Sequence, residues 1–466
     1  MYIQLSLDSN LTNIFAKKAL LNTGWADNVR LRISNSVITS IEIGCSVDKD
    51  DYSASIVIPG VTNAHSHAFQ RALVGHTEKR ESTDRDTFWS WRTQMYSLAG
   101  SIDAKALRII ARQTYSEMMT AGYTSVAEFH YLHKEKEGRS KKGAMLQAIM
   151  KAAADTGIRL TYIPVLYERA SFDQPKPTSE QRQFVMTLDQ FIDHYDYARE
   201  TADSNTTIGI GAHSLRAVSK SSLSKLSDLA KRDECPMHIH IAEQTTEIDQ
   251  CLTHYNARPI EWLLKEFSVN PHWCLVHATH ISEKEMNSIC ESGTVICLCP
   301  STEANLGDGL FPLKALLDKG GRFAIGSDSQ ITINPFEELR WLEYGQRLTS
   351  RSRNIAAVHN SHTGNSLFEK AIEGGSLACG KGTRNIQKGS HADLIVLDDD
   401  SPIIAGHNTE SILDALIFSG INLPINRVMV AGKWCVINGA HINTSKIKND
   451  FKTVVDNLWL TSKAPI

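Results

Sequence analysis

At 466 residues the chain is too long for one small core and suggests about two to three domains. A net charge of −3 gives no electrostatic basis for binding nucleic acid or an anionic membrane, and 42% hydrophobic with 22% charged residues is the balance of a soluble globular protein. No apolar run reaches spanning length, Met1–Asp8 lacks the basic and apolar regions of a signal peptide, and nine cysteines without framework spacing point to reduced core thiols in a cytoplasmic protein.

The first segment, residues 13–58, reads as short strands and turns. Val29-Arg30-Leu31-Arg32-Ile33 and Val37-Ile38-Thr39-Ser40-Ile41-Glu42-Ile43 alternate like a half-buried antiparallel sheet. The same character returns at residues 392–397 and 428–439. This predicts a small β-sandwich domain built from both chain ends, residues 1–60 and 388–445, closed around an inserted domain of residues 61–387. Residues 446–466 are left as a C-terminal helix or tail.

The middle alternates differently. Beginning with the segment that ends in His65-Ser66-His67, eight short apolar runs recur, the later ones at residues 125–131, 160–167, 208–214, 236–243, 273–278, 295–299 and 323–329. Helical periods such as residues 106–112 and 223–229 lie between them. Eight β-then-α units predict an α/β fold, a (β/α)₈ TIM-like barrel, whose chemistry gathers at the C-terminal ends of the strands. The stretch Thr77–Tyr96, charged and then aromatic, reads either as a loop over the barrel mouth or as a surface helix.

Those strand ends carry chemically able residues. Residues i and i+2 of an extended chain face one side, so His65 and His67 aim two imidazoles at one point. His240 comes from the fifth run with Glu243 three residues on, His277 ends the sixth and Asp328 ends the eighth. Three imidazoles and a carboxylate suit one Zn²⁺ or Fe²⁺, which can bring the pKa of bound water to about 7. His65, His67, His240 and Asp328 are the candidate ligands. Glu243 is placed to carry protons, Asp328 to share one with the attacking water, and His277 to hold the developing oxyanion. No lysine occurs in the third or fourth run, so a bridging carboxylated lysine and a second metal are not expected. His238 reads as a core or supporting histidine, His130, His133, His272 and His280 as loop or capping residues, and His213 as a possible substrate contact.

The His-x-His after Pro59-Gly60, His240-Ile241-Ala242-Glu243, His277 and Ser327-Asp328 resemble the amidohydrolase superfamily in its single-metal deaminase branch. Further blocks resemble the formimidoylglutamate deiminase family more closely: residues 65–72, 88–92, 127–131, 213–218, 238–244, 275–280, 301–309 and 337–347. The resemblance spans nearly the whole chain, departs at no metal or acid/base position, and is loose in the N-terminal strands and the C-terminal tail. It implies hydrolysis of N-formimidoyl-L-glutamate to N-formyl-L-glutamate and ammonia, in histidine breakdown. It also implies a dicarboxylate pocket in which Arg92 and Arg216 pair with carboxylates, helped by Gln70, Tyr131 and His213. One divalent ion per subunit, Zn²⁺ before Fe²⁺, and a homodimer go with it. Two alternatives stand beside this reading: another aminohydrolase of the superfamily, acting on guanine, cytosine or an S-adenosylhomocysteine-like purine, and a non-catalytic barrel scaffold.

Overall fold

A computed structural model describes residues 11–80, 86–136, 142–358, 360–380, 385–420 and 422–461. The signal-peptide reading of Met1–Asp8, residues 81–85 of the Thr77–Tyr96 stretch and residues 462–466 of the tail lie outside the described residues.

Each of the eight apolar runs forms a parallel strand: β1 (Val61–Ser66), β2 (Tyr123–His130), β3 (Arg159–Leu166), β4 (Ile210–Ser214), β5 (Met237–Ile241), β6 (Trp273–His277), β7 (Val295–Leu298) and β8 (Arg322–Ile325). They pair in sequential order, with the short strand Thr206–Ile208 added beside β3. Helices pack outside and side chains fill the inside, so nearly every strand residue is buried, which is why these segments read as continuous apolar runs. The ring closes just beyond β8 and β1. There Asp328 N–H donates to His65 O at 3.0 Å and His67 N–H donates to Asp328 O at 3.1 Å.

The outer helices show the expected period. Helix α2 (Ala104–Thr120) starts on an Asp103 cap and buries Leu107, Ile110, Ala111, Thr114, Tyr115 and Met118, one face at i, i+3, i+4 spacing. The helix Thr363–Ala378 packs so close to β8 that a Cβ on Gly374 would stand 1.8 Å from Phe323 O. The charged and aromatic stretch meets both of its readings. Among its described residues, Thr87 caps helix α1 (Phe88–Ala99), and that helix lies over the barrel mouth.

Both chain ends contribute to a second sheet of eight strands, a single hydrogen-bonded ladder. Its order is Ala440–His441, Lys433–Ile437, Ile425–Val430, Leu394–Leu397, Tyr52–Pro59, Leu11–Leu21, Gly24–Ser34 and Val37–Ile43. All neighbours are antiparallel except Leu11–Leu21 with Tyr52–Pro59. Where the sequence suggests short strands, Leu11–Leu21 and Gly24–Ser34 form one long hairpin. Lys17-Lys18 and Asp27-Asn28 interrupt the apolar alternation, and the pairing skips Lys17 and Asn28, the latter with positive φ, without shifting its register. The run at 428–439 splits into two strands because Ala431 and Gly432 turn the chain with positive φ. Only Gly60 separates the second sheet from β1, and a Cβ there would fall 2.2 Å from Thr124. No disulfide joins any of the nine cysteines. No described helix is long and apolar enough to cross a membrane.

Candidate active site

The predicted donors meet at the C-terminal rim of the barrel. Ligand atoms of His65, His67 and His240 lie within 4.8 Å of one another, and so do those of His277, Cys299 and Asp328. Asp328 joins the two groups: its Oδ1 stands 3.5 Å from His65 Nε2 and 3.2 Å from His67 Nε2, and its Oδ2 is 3.7 Å from His277 Nε2. His240 Nε2 is 3.0 Å from His65 Nε2. The backbone at these strand ends is unusual, since Ala242, His277, Ala278 and Asp328 all have positive φ, a strained arrangement that clusters at functional sites.

The chemistry of these atoms tests whether a cation fits. Phe129 O can only accept, so His67 Nδ1, 2.9 Å away, must donate to it. A neutral His67 then presents its Nε2 lone pair to Asp328 Oδ1, with two acceptors facing each other. Burial holds His65 down to about 3 and lowers His67 and His240 as well, so the imidazoles are neutral, the form that binds a metal. Burial pushes the Asp328 carboxyl up, but the His65 contact and the charge of nearby His277 outweigh it and keep the carboxylate ionised. Neutral lone pairs and an anionic carboxylate converging in a buried site fit a divalent cation.

The supporting residues are buried and interlocked. Asn63 on β1 donates to Ser327 Oγ at 2.6 Å and accepts from Ser327 N–H at 3.1 Å, fixing the residue before Asp328. Glu128 on β2 accepts from Ser66 Oγ at 2.7 Å and from Ala68 N–H at 2.8 Å, fixing the chain on either side of His67. Burial raises Glu128 to about 7.

Glu243 and His277 face each other, with Glu243 Oε1 3.9 Å from His277 Nε2. Burial raises the Glu243 carboxyl despite His277 and Arg216, the direction wanted of a group that delivers a proton near neutral pH. Burial opposes charge on His277, but Glu243, the hydrogen bond to Glu303 and Asp328 raise it to about 10. His277 Nδ1 lies 3.2 Å from Glu303 Oε1, which leaves Nε2 as the donor aimed at the site.

A cavity opens over this cluster. Its lining includes all five predicted substrate residues, Gln70, Arg92, Tyr131, His213 and Arg216, together with Tyr96 from α1. Gln70 donates to Tyr131 Oη at 2.8 Å. The His213 ring lies between Tyr131 and Tyr167 at 5.5 and 4.4 Å. The Arg92 guanidinium covers the Trp89 ring at 4.4 Å. Arg216 is buried, and its Nε and Nη1 have no hydrogen-bond partner among the described residues. Arg92, Tyr96 and Arg216 also line a wider outer chamber with Gln174, Thr178 and Thr246, so they stand between that chamber and the inner cavity.

The remaining histidines behave as read, with one exception. His238 Nε2 bonds Ala378 O at 2.7 Å in the barrel interior, a core role, while His272 is exposed and His280 half-buried in loops. His133 stands in the loop after β2 as expected, buried beside His194, whereas His130 is the last residue of that strand, buried beside Tyr162. The loop after β2 turns inward there, with His133 Nε2 held by Val165 O at 2.8 Å. The supporting roles of Glu303, Glu128 and Asn63 are not among the sequence expectations. Glu303 stands in a block quoted for its family likeness, and that block was the available signal.

A barrel carrying a histidine and carboxylate cluster on its rim defines a class, and residues 56–435 match the description "Amidohydrolase family"; the chain belongs to that family, which is metal-dependent. Residues 11–54 match "Formimidoylglutamate deiminase HutF, N-terminal domain". The formimidoylglutamate deiminase of Pseudomonas aeruginosa is 40% identical over 453 residues, covering 96% of this chain and 100% of the relative, which places the chain among the formimidoylglutamate deiminases. A 5-methylthioadenosine/S-adenosylhomocysteine deaminase of Nitratidesulfovibrio vulgaris is 23% identical over 406 residues, covering 84% of this chain and 81% of its own. Among solved structures, an amidohydrolase from Brucella melitensis superposes with a TM-score of 0.92 at 37% identity, covering 96% of this chain and 100% of that one. An adenosine deaminase from Xanthomonas campestris with bound zinc shares the fold at a TM-score of 0.80 and 19% identity, covering 96% and 98%.

Proposed function

We propose that this enzyme hydrolyses N-formimidoyl-L-glutamate to N-formyl-L-glutamate and ammonia. The observation that carries the reading is the pairing of two arginines with the rim cluster in one cavity: Arg216, buried with open donors, and Arg92. An amidine flanked by two carboxylates matches that arrangement, whereas a purine would bring no carboxylate to the open Nε and Nη1 donors of Arg216.

His65, His67, His240 and Asp328 would hold the metal, and Zn²⁺ suits three neutral imidazoles and a carboxylate. When bound, the ion supplies Lewis acidity that makes water a nucleophile at neutral pH. Asp328 takes a proton from the water that attacks the formimidoyl carbon. Glu243 gives a proton to the terminal nitrogen. His277 Nε2–H steadies the tetrahedral oxygen, its orientation fixed by Glu303. Asp328 passes its proton to the same nitrogen, the C–N bond to it breaks and ammonia leaves, while the hydroxyl proton goes to Glu243 and the formyl amide remains on glutamate. Arg216 and Arg92 take the two carboxylates, with Gln70, Tyr131 and His213 shaping the space between.

Ammonia release from formimidoylglutamate, with formimidoylaspartate and guanine as controls, tests the reading. Rapid release from the first compound alone is expected. Guanine turnover would move the enzyme to the purine deaminases, and formamide as product would mean that the glutamate-side bond breaks.

The organisation proposed with this reading is a cytoplasmic homodimer without nucleic-acid or membrane partners. Its domains are the two chain ends (1–60 and 388–445) and the barrel (61–387), followed by a C-terminal element (446–466). Exposed Trp341, Tyr344 and Leu348, on one face of helix Pro335–Ser350, support the dimer. Light scattering at the mass of one chain would refute it.

A further inference from the structure

We propose that Arg169 is a positioning residue that sets the preference for a dicarboxylate, by holding the loop of Arg216 so that the Arg216 guanidinium stays open to substrate. The inference rests on the reading above, in which Arg216 pairs with a substrate carboxylate.

Arg169 follows β3, and Arg216 follows β4. The Arg169 side chain donates Nε–H to Arg216 O at 3.1 Å and Nη2–H to Leu215 O and Val218 O, both at 2.9 Å. The main chain adds two bonds, with the N–H groups of Glu168 and Arg169 donating to Ala217 O at 2.9 and 3.2 Å. Glu168 completes the grip by accepting from Ser219 N–H at 3.0 Å and Ser222 Oγ at 2.7 Å. Four consecutive carbonyls, of residues 215 to 218, are therefore satisfied by two residues of the neighbouring strand end.

This pattern bears directly on Arg216. A buried guanidinium with two unpaired donors would ordinarily turn onto the nearest free carbonyls, and those of its own loop are the nearest in sequence. Arg169 occupies them. Arg216 instead lies over Phe88 and Trp89 of α1, at 6.0 and 5.6 Å from the rings, with Nε and Nη1 unpaired. Arg169 reaches the three carbonyls from two nitrogens held apart in one planar group, a spread that the single ammonium nitrogen of lysine does not reproduce.

The test compares the metal-loaded enzyme with Arg169→Met, Arg169→Lys, Arg216→Gln and the double variant Arg169→Met/Arg216→Gln. Three substrates are used: formimidoylglutamate, 4-(formimidoylamino)butyrate and 2-(formimidoylamino)butyrate, the last two each lacking one carboxylate. The readout is the ratio of kcat/KM for the dicarboxylate to that for the analogues, with metal content and Tm measured alongside. Arg169→Met is expected to raise KM for the dicarboxylate and cut the ratio roughly tenfold, the scale of a weakened charged hydrogen bond. Arg169→Lys should shift it the same way, by less. The double variant should discriminate no worse than Arg216→Gln alone, since the two act through one contact. If Arg169→Met or Arg169→Lys lowers kcat/KM equally for all three substrates, the residue is merely structural and the inference falls while the carboxylate reading stands. If Arg216→Gln itself leaves the ratio unchanged, the carboxylate reading falls and takes the inference with it.

Discussion

At the scale of single residues, Glu243 and His277 divide the proton work by environment. Both are buried, yet Glu243 is pushed toward its neutral form, while surrounding carboxylates hold His277 at about 10. Glu243→Gln keeps the shape and removes the transferable proton. Turnover should fall at least about 100-fold with metal content unchanged, as measured by ammonia release beside elemental analysis. A second carboxyl gives a pH signature in stability. Burial raises Glu338 to about 8, although it accepts from Ser301 N–H at 2.9 Å and from the Ser301 hydroxyl. The folded state therefore keeps a proton that the unfolded chain releases near 4.5, and stability declines as pH rises between those values, by at most about 1.4 kcal/mol per pH unit. Denaturant titrations of Glu338→Gln between pH 5 and 8, at about one-unit steps, should give a flatter profile than the parent. The His-x-His was readable because two residues apart in an extended chain share a side. Glu303 and Glu128 were not, because each acts across strands on a residue far away in sequence.

At the scale of elements, close approach decides what each can tolerate. Helix Thr363–Ala378 lies against β8 at Gly374, where an added methyl would meet a backbone oxygen that cannot step aside. Gly374→Ala should cost about 3 kcal/mol, visible as a lower midpoint in a denaturant melt. Helix α1 is held at its start by Thr87, whose side chain accepts from Trp89 N–H at 3.3 Å. Thr87→Ala should cost that helix about 1 kcal/mol and raise KM more than it lowers kcat, because α1 presents Arg92 and Tyr96 to the cavity. The sequence displayed this stretch as aromatic and charged but could not choose between loop and helix. Its cap belongs to a local pattern, whereas its placement over the mouth depends on the barrel beneath.

At the scale of the whole molecule, the barrel was legible because a parallel strand covered on both sides must be apolar throughout. Eight such runs separated by helical periods leave few other arrangements. The second sheet was legible in outline, from alternation at both ends of the chain. Its long N-terminal hairpin was obscured by the charges at Lys17-Lys18 and Asp27-Asn28, since a strand with a solvent face need not alternate strictly. The matched family descriptions extend over both parts. Stripping metal with a chelator should lower the Tm of the intact protein, because a ligand at about 100 times its Kd contributes about 2.7 kcal/mol to the folded state. Adding Zn²⁺ back should restore it, and an unchanged melt would argue against metal at the rim.

The two main-chain bonds joining His65, His67 and Asp328 make the reactive rim the clasp of the cylinder as well. Amide exchange at those positions should therefore track the opening of the entire ring. Moving this chemistry onto another scaffold would require carrying the circular main chain along with the side chains, because an open-edged sheet would leave the imidazoles with nothing to aim them.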